Sequence, residues 1–195
     1  MKLGIILFAV VIAGTVTATA QEMPTLGVKG GMNATSAFTE DPLVDTSYRP
    51  GFLVGAFAWL PANDRVAFHP EFLYSQKRTK FTLDGNDATL TADYIEFPVL
   101  LDVRLNSSPS SRVSLVAGPS VSFRARARLE NQGESIDASD QLDRVDFSVV
   151  TGLAFTAGHF VLDGRYTWGL IDVASEDGLT ARLHGFAISA GWRFR

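Results

Sequence analysis

The sequence predicts an all-β protein, a closed up-and-down antiparallel transmembrane β-barrel of about eight strands with short turns at one end and long external loops at the other. Three observations predict it. Apolar and polar residues alternate with period two over most of the chain, the pattern of strands with two different faces. Beyond residue 20 no apolar run is long enough for a membrane-crossing helix, so an exported chain that spans a membrane must do so as a barrel. The connections between alternating stretches are in turn long and short, as in outer-membrane barrels.

The first 20 residues read as a cleaved signal peptide and residues 21–195 as the barrel domain. Lys2 is a short positive start, Leu3 to Val16 is nearly continuous apolar sequence, and Ala18-Thr19-Ala20 is a small-x-small cleavage site before Gln21. The chain has no cysteine, which excludes disulfides, thiolate catalysis, Cys-ligated zinc and a lipid-modified N-terminal Cys. Its formal charge of -4, with no long basic run, argues against nucleic acid as a partner.

The predicted strands run in order. The first is about Leu26–Ala34, with Leu26, Val28 and Met32 opposite Lys29 and Asn33. The second is about Gly51–Leu60. The third, about Val66–Gln76, sets Val66, Phe68, Phe72 and Tyr74 against His69, Glu71 and Ser75. The fourth, about Asp93–Arg104, sets Ile95, Phe97, Val99, Leu101 and Val103 against Glu96, Asp102 and Arg104. The fifth is about Val113–Leu129, the sixth about Val145–Ala157, the seventh about Phe160–Ile171 and the eighth about His184–Phe194.

Long polar connections fall at Thr35–Pro50, Lys77–Ala92, Glu130–Arg144 and Asp172–Leu183, and short ones at Pro61–Arg65, Asn106–Arg112 and Gly158–His159. This places both termini at the short-turn end, the periplasmic side in an outer-membrane barrel. Bulk decides which face points outward. An eight-stranded lumen is just wide enough for side chains to fill. The apolar face, with Phe72, Phe97, Phe123, Phe147, Phe155 and Trp168 among others, is too bulky for it; the opposite face is rich in Gly, Ser, Thr and Ala. Aromatics fall in two groups about one crossing apart: Trp59, Phe68, Phe160, Trp192 and Phe194 near the short turns, and Tyr74, Tyr94, Phe123, Tyr166 and Trp168 at the other interface.

The segments Leu26-Gly-Val-Lys-Gly-Gly-Met-Asn33, Gly51-Phe-Leu-Val-Gly-Ala-Phe57, Pro70-Glu-Phe-Leu-Tyr-Ser-Gln76, Tyr94-Ile-Glu-Phe-Pro-Val-Leu100 and Arg165-Tyr-Thr-Trp-Gly-Leu170 resemble the PorT-type outer-membrane β-barrel family of Bacteroidetes-like bacteria. The resemblance covers most of the predicted mature chain and implies fold and location rather than an activity. One departure is the C-terminus, where the usual terminal aromatic is Phe194 followed by Arg195.

The residues that could carry chemistry lie on the lumen face: Lys29, Glu71, Glu96, Arg104, Asp163, Arg165 and Arg193. Glu71 and Glu96, on neighbouring strands, form a carboxylate pair of the kind that serves acid/base catalysis. The stronger expectation is a structural plug of opposite charges that satisfy one another, because buried charges must be paired. Arg124, Arg126 and Arg128 alternate on the fifth strand. They are candidates for contact with the phosphates of lipopolysaccharide, or for a ladder pairing with Asp146 and the acidic stretch Glu130–Asp143.

The histidines His69, His159 and His184 are widely separated, and no Gly-x-Ser-x-Gly, metal or phosphate-loop signature occurs. The expectation is therefore a non-enzymatic barrel without cofactor or metal. Its expected partners are outer-membrane lipids, lipopolysaccharide, the barrel-assembly machinery and an envelope protein bound through external loops. The alternatives are a lipid-modifying membrane enzyme and a soluble periplasmic barrel carrying an apolar ligand.

Overall fold

The computed structural model describes residues 23–39, 44–83, 86–106, 108, 110–131, 134–137, 144–170 and 181–194. The expected signal peptide at 1–20 lies outside the described residues. The strands are β1 (Thr25–Thr39), β2 (Val44–Pro61), β3 (Val66–Leu83), β4 (Asn86–Arg104), β5 (Ser111–Asn131), β6 (Glu134–Asp137), β7 (Val145–Ala157), β8 (Phe160–Gly169) and β9 (Ala181–Phe194). Each main strand pairs antiparallel with its neighbours, and the β1–β9 pairing closes the ring, so every stave has two partners. Eight staves form the barrel. β6 is a four-residue strand folded back on the end of β5.

Alternation puts the bulky apolar side chains outside. Phe72, Val99, Leu153 and Ile188 are about half exposed, whereas Ser75, Leu100, Ser114 and Ser189 on the other face are buried. A soluble barrel would bury the aromatic face, so this arrangement rules out the apolar-ligand carrier.

The short turns are fixed by local hydrogen bonds. Asn63 Oδ1 accepts from the backbone N–H groups of Arg65 and Val66, both at 2.9 Å. Asn106 Oδ1 accepts from Val113 N at 2.9 Å, and its amide donates to Ser111 O at 3.0 Å. In the two-residue turn between β7 and β8, Gly158 has φ 58°, a left-handed conformation that costs glycine no Cβ clash.

At the opposite end the strands outrun the sequence-based boundaries. Much of the sequence expected to loop there, including Thr35–Thr39, Lys77–Leu83 and Asn86–Ala92, continues the strands. β5 has 21 residues. At about 3.3 Å per residue and a tilt near 45° it rises about 49 Å, against a hydrocarbon thickness of about 30 Å. The hairpins at this end therefore stand well clear of any bilayer the barrel crosses. Polar residues suit both a loop and a strand in water, so composition did not separate the two.

Candidate functional site

The interior is the candidate site, and it is filled in layers. Across its middle lies an ionic cluster. Arg165 on β8 and Glu71 on β3 occupy staves on opposite sides of the eight-stave ring, and they meet in a bidentate pair, Nη1–Oε2 2.7 Å and Nη2–Oε1 2.7 Å. Planar fork geometry of this kind is the strong form of the interaction. Lys29 on β1 closes one side, with Nζ 2.8 Å from Asp163 Oδ2 and 3.2 Å from Glu71 Oε1. Arg165 Nε lies 2.8 Å from Asp163 Oδ1 as an ion contact out of line for a hydrogen bond. Ser189 on β9 donates to Asp163 Oδ2 at 3.0 Å. His69, two residues from Glu71, sets its Nε2 3.1 Å from Glu71 Oε1 without hydrogen-bond alignment, and its ring lies tilted at 51° to that of Phe57 with centroids 5.0 Å apart. Two cations face two carboxylates, all buried, so the cluster is close to neutral.

The other half of this level is apolar: Leu100 on β4, Val116 on β5, and Val150 and Ala154 on β7 pack together. Space for the guanidinium stem comes from Gly152, where a Cβ would sit 3.0 Å from Arg165 Cγ and 2.3 Å from Gly164 O. The sequence reading anticipated a polar lumen; the structure corrects this to a mixed one, with Leu53, Phe57 and Leu73 also inside. In a lumen this narrow neither face meets bulk water, so inward positions tolerate apolar residues of the right size.

The structure divides the seven expected lumen residues into three groups. Lys29, Glu71, Asp163 and Arg165 come together. Glu96 does not join Glu71; it pairs with Lys77 at 2.8 Å, nearer the long-hairpin end, where Lys77 also lies 4.8 Å over the ring of Tyr94. Arg104 and Arg193 line a cavity at the short-turn mouth beside Trp59. Above Lys77, Ala37, Ala92, Tyr94, Ala127 and Leu183 form an apolar inner cluster. Two expected girdle aromatics, Trp59 and Tyr94, are thus inside the barrel, at 4% and 2% exposure. The others lie outside: Trp192 stacks on His159 at 5.2 Å, and Tyr166 packs on Trp168 and Phe186 at 4.3 and 4.6 Å.

The three expected arginines of β5 do not share a face. A bulge shifts the β4–β5 register between Asp93/Arg126 and Tyr94/Arg124. Arg124 is paired with inward-facing Tyr94, while Arg126 and Arg128 are exposed on the outside. The bulge was not legible because the alternation on either side of Ala125 is equally regular. Asp146, expected as a partner, is buried and inward; most of the acidic stretch 130–143 lies outside the described residues. Among the described residues, no group of three or more His, Asp or Glu could hold a metal ion.

A closed ring of eight staves with a crowded, mixed interior and an outward aromatic face is the architecture of small outer-membrane barrels, and the family comparison agrees. Residues 19–175 match the model of the outer membrane protein beta-barrel domain. The chain belongs to that family. The C-terminal stave β9 lies beyond the matched segment, yet it closes the ring against β1. Among solved structures, the attachment invasion locus protein Ail of Yersinia pestis is similar at 16% identity and TM-score 0.53, covering 89% of this chain and 100% of that one. The same protein in complex with the heparin analogue sucrose octasulfate is similar at 15% identity and TM-score 0.51, with the same coverage. These likenesses support the barrel fold. No curated protein matches the sequence.

Proposed function

We propose that this outer-membrane barrel is a non-conducting, non-enzymatic binding or scaffolding protein that works through its projecting hairpins, with the short-turn end and both termini in the periplasm. The observation that carries this is the buried bridge from β3 to β8 through Arg165 and Glu71, which crosses the lumen. A void of about 40 Å³ above it, lined in part by Asn33, Lys77, Glu96 and Asp146, has room for a few waters and no solute. The only imidazole in the bridge contacts Glu71, and the Ser189 hydroxyl is used on Asp163, so neither is presented to a substrate.

The outer face supplies a membrane contact. Above the apolar band, Arg126 is in register with Asp93 and Gln76, and Arg128 with Thr91 and Arg78. Arg78, Arg126 and Arg128 thus form an outward basic patch at the height where lipopolysaccharide phosphates begin, a geometry suited to bidentate anion contact. The strand pattern supports a finer assignment to the PorT-type subgroup, and insertion by the barrel-assembly machinery follows from the location.

Reconstitution tests the reading. In planar bilayers the barrel should give no steady conductance, and in liposomes lacking lipopolysaccharide the Arg126→Gln/Arg128→Gln double variant should match the parent in stability. With lipopolysaccharide present the parent should gain stability that the variant lacks. A stable open channel, or an equal gain for both, would refute the proposal.

A further inference from the structure

The wall of the barrel is not bonded evenly. The β1–β2, β1–β9, β5–β7, β7–β8 and β8–β9 ladders run without a break. The other three ladders of the ring each skip two residue pairs. The β2–β3 pairing stops at Phe57/Glu71 and resumes at Leu60/Phe68. The β3–β4 pairing stops at Pro70/Val99 and resumes at Leu73/Glu96. The β4–β5 pairing stops at Pro98/Ser120 and resumes at Leu101/Ala117. The gaps abut: β3 is interrupted at 69–70 on its β2 side and at 71–72 on its β4 side, and β4 at 97–98 on its β3 side and at 99–100 on its β5 side.

One residue type accounts for all three. Continuing each register across its gap sets Pro70 against Ala58, Pro98 against Glu71 and Pro119 against Val99. Proline has no N–H, so the carbonyls of Ala58, Glu71 and Val99 lose the ladder donor that the facing position would supply. Inside a sheet proline deletes a ladder bond, which is why it is otherwise confined to edges and bulges. In hydrocarbon no water replaces that bond. Phe72, Phe97 and Val99 flank the gaps on the exposed outer face. The strands still touch, since a Cβ on Gly118 would meet the Val99 carbonyl oxygen. This line is thus held by packing with fewer ladder bonds than the unbroken wall opposite.

Across the lumen, the ionic bridge ties this line to the unbroken side. Glu71 sits in the β3–β4 gap, and its carboxylate takes both arms of Arg165 from β8 at 2.7 Å. β8 is paired without interruption to β7 and β9. Lys29 on β1, 3.2 Å from Glu71 Oε1, adds a second tie. A buried carboxylate at a gap, gripped by cations from the intact wall, resists outward movement of β3, because parting would leave buried charges unpaired.

We infer that β2–β5 carry a conformational seam along Pro70, Pro98 and Pro119, and that the Arg165–Glu71 pair is the latch that keeps β3 and β4 from parting there. The device is independent of the hairpin-end function proposed above. Native-state hydrogen exchange on the folded barrel in phospholipid nanodiscs, read by NMR, tests it. The Glu71 and Val99 amides should exchange roughly tenfold or more faster than the Gly152 and Arg165 amides of the opposite wall. Arg165→Met should speed the seam amides about tenfold further and leave the β1–β9 amides within about twofold of the parent. Glu71→Gln keeps the side-chain volume and gives the same readout if Arg165→Met does not fold. Pro98→Val restores an N–H facing Glu71 and should slow exchange at the β3–β4 gap and blunt the effect of Arg165→Met. Pro119→Val, at an exposed outward position, should do the same for the β4–β5 gap. Folding of each variant is checked by its heat-modifiable migration. Equal exchange on the two walls of the parent would overturn the seam. Acceleration of all eight staves together in the latch variants would overturn the latch, since the pair would then brace the whole barrel. Unchanged exchange in folded Pro98→Val and Pro119→Val would overturn the part given to the prolines.

Discussion

Removing Glu71 tests the lumen bridge most directly. Its carboxylate accepts both arms of Arg165 at 2.7 Å and lies 3.2 Å from Lys29. In Glu71→Ala both cations remain, with Asp163 as the one carboxylate left in the cluster, and the level changes from neutral to a net positive charge in a site where Lys29 and Arg165 are 5% and 8% exposed. Breaking a buried pair by removing one partner costs about 3–5 kcal/mol. Water that enters the vacated space offsets part of this, so the lower half of the range is expected.

The measurement is urea unfolding in detergent or lipid vesicles, followed by the heat-modifiable gel shift and by tryptophan fluorescence. Glu71→Ala alone cannot separate a lost ion pair from a lost side-chain volume. The double variant Glu71→Ala/Arg165→Met can, because deleting both charges removes the unpaired guanidinium. It should recover about 2 kcal/mol or more relative to the sum of the single changes, the upper range seen for residues in direct contact. Additive effects, or a Glu71→Ala stability within about 0.5 kcal/mol of the parent, the usual scatter of surface changes, would show that the bridge does not stabilise the barrel.

Three further predictions concern faces and packing. Gly152→Val should destabilise by about 1–3 kcal/mol through overpacking, since a Cβ there meets Gly164 O at 2.3 Å and the Arg165 stem; tolerance of Val in the same unfolding assay would mean the stem lies elsewhere. Val99→Arg, in the middle of the outward apolar run Ile95–Val103 of β4, should cost about 2–4 kcal/mol in lipid vesicles, and an unchanged midpoint would place Val99 away from hydrocarbon. Probes at Leu101, Val121 and Ile188 should be quenched by a lipid-soluble quencher while probes at buried Ser120 and Ser189 are not; the reverse would invert the faces.

Much of the barrel was legible in the sequence because strand alternation has a strict period, so each run of alternating residues carries its own face assignment. Lys29, Glu71, Asp163 and Arg165 could be placed inside without knowing which would touch. Their mutual contact depends on the closure of the ring, which sets β3 opposite β8, and no local pattern states that. Glu96 illustrates the gap. It is on the strand next to Glu71, but its register partner is Leu73, further along the barrel, and the cation within its reach is Lys77. Arg124 illustrates another. One extra residue in β5 moves it to the opposite face from Arg126, and period-two reasoning fails at the first bulge.

The aromatic residues show why size, rather than polarity, decided the orientation of the sheet. In a soluble protein the inside is dry and the outside wet, so polarity alone separates the faces. Here the outside is hydrocarbon over the middle of each strand and the inside is crowded, so both faces exclude water and both accept apolar side chains. Phe57, Trp59, Leu73 and Leu100 are inside while Phe72, Phe97 and Leu101 are outside. What differs is that lipid accommodates any side-chain volume and the lumen does not. Each inward ring is placed against small residues: Phe57 reaches across Gly27, where a Cβ would meet its ring at 2.3 Å, and Trp59 sits at the mouth, where the cavity begins. Tyr94, also inside, packs among Ala37, Ala92 and Ala127, so inward rings are given room by small neighbours or by the open mouth. Filling Gly27 with Ala should consequently displace Phe57 and leave Phe72 unmoved, a difference that aromatic side-chain NMR on the folded barrel would register; equal perturbation of both rings would show that Gly27 does not make the room for Phe57.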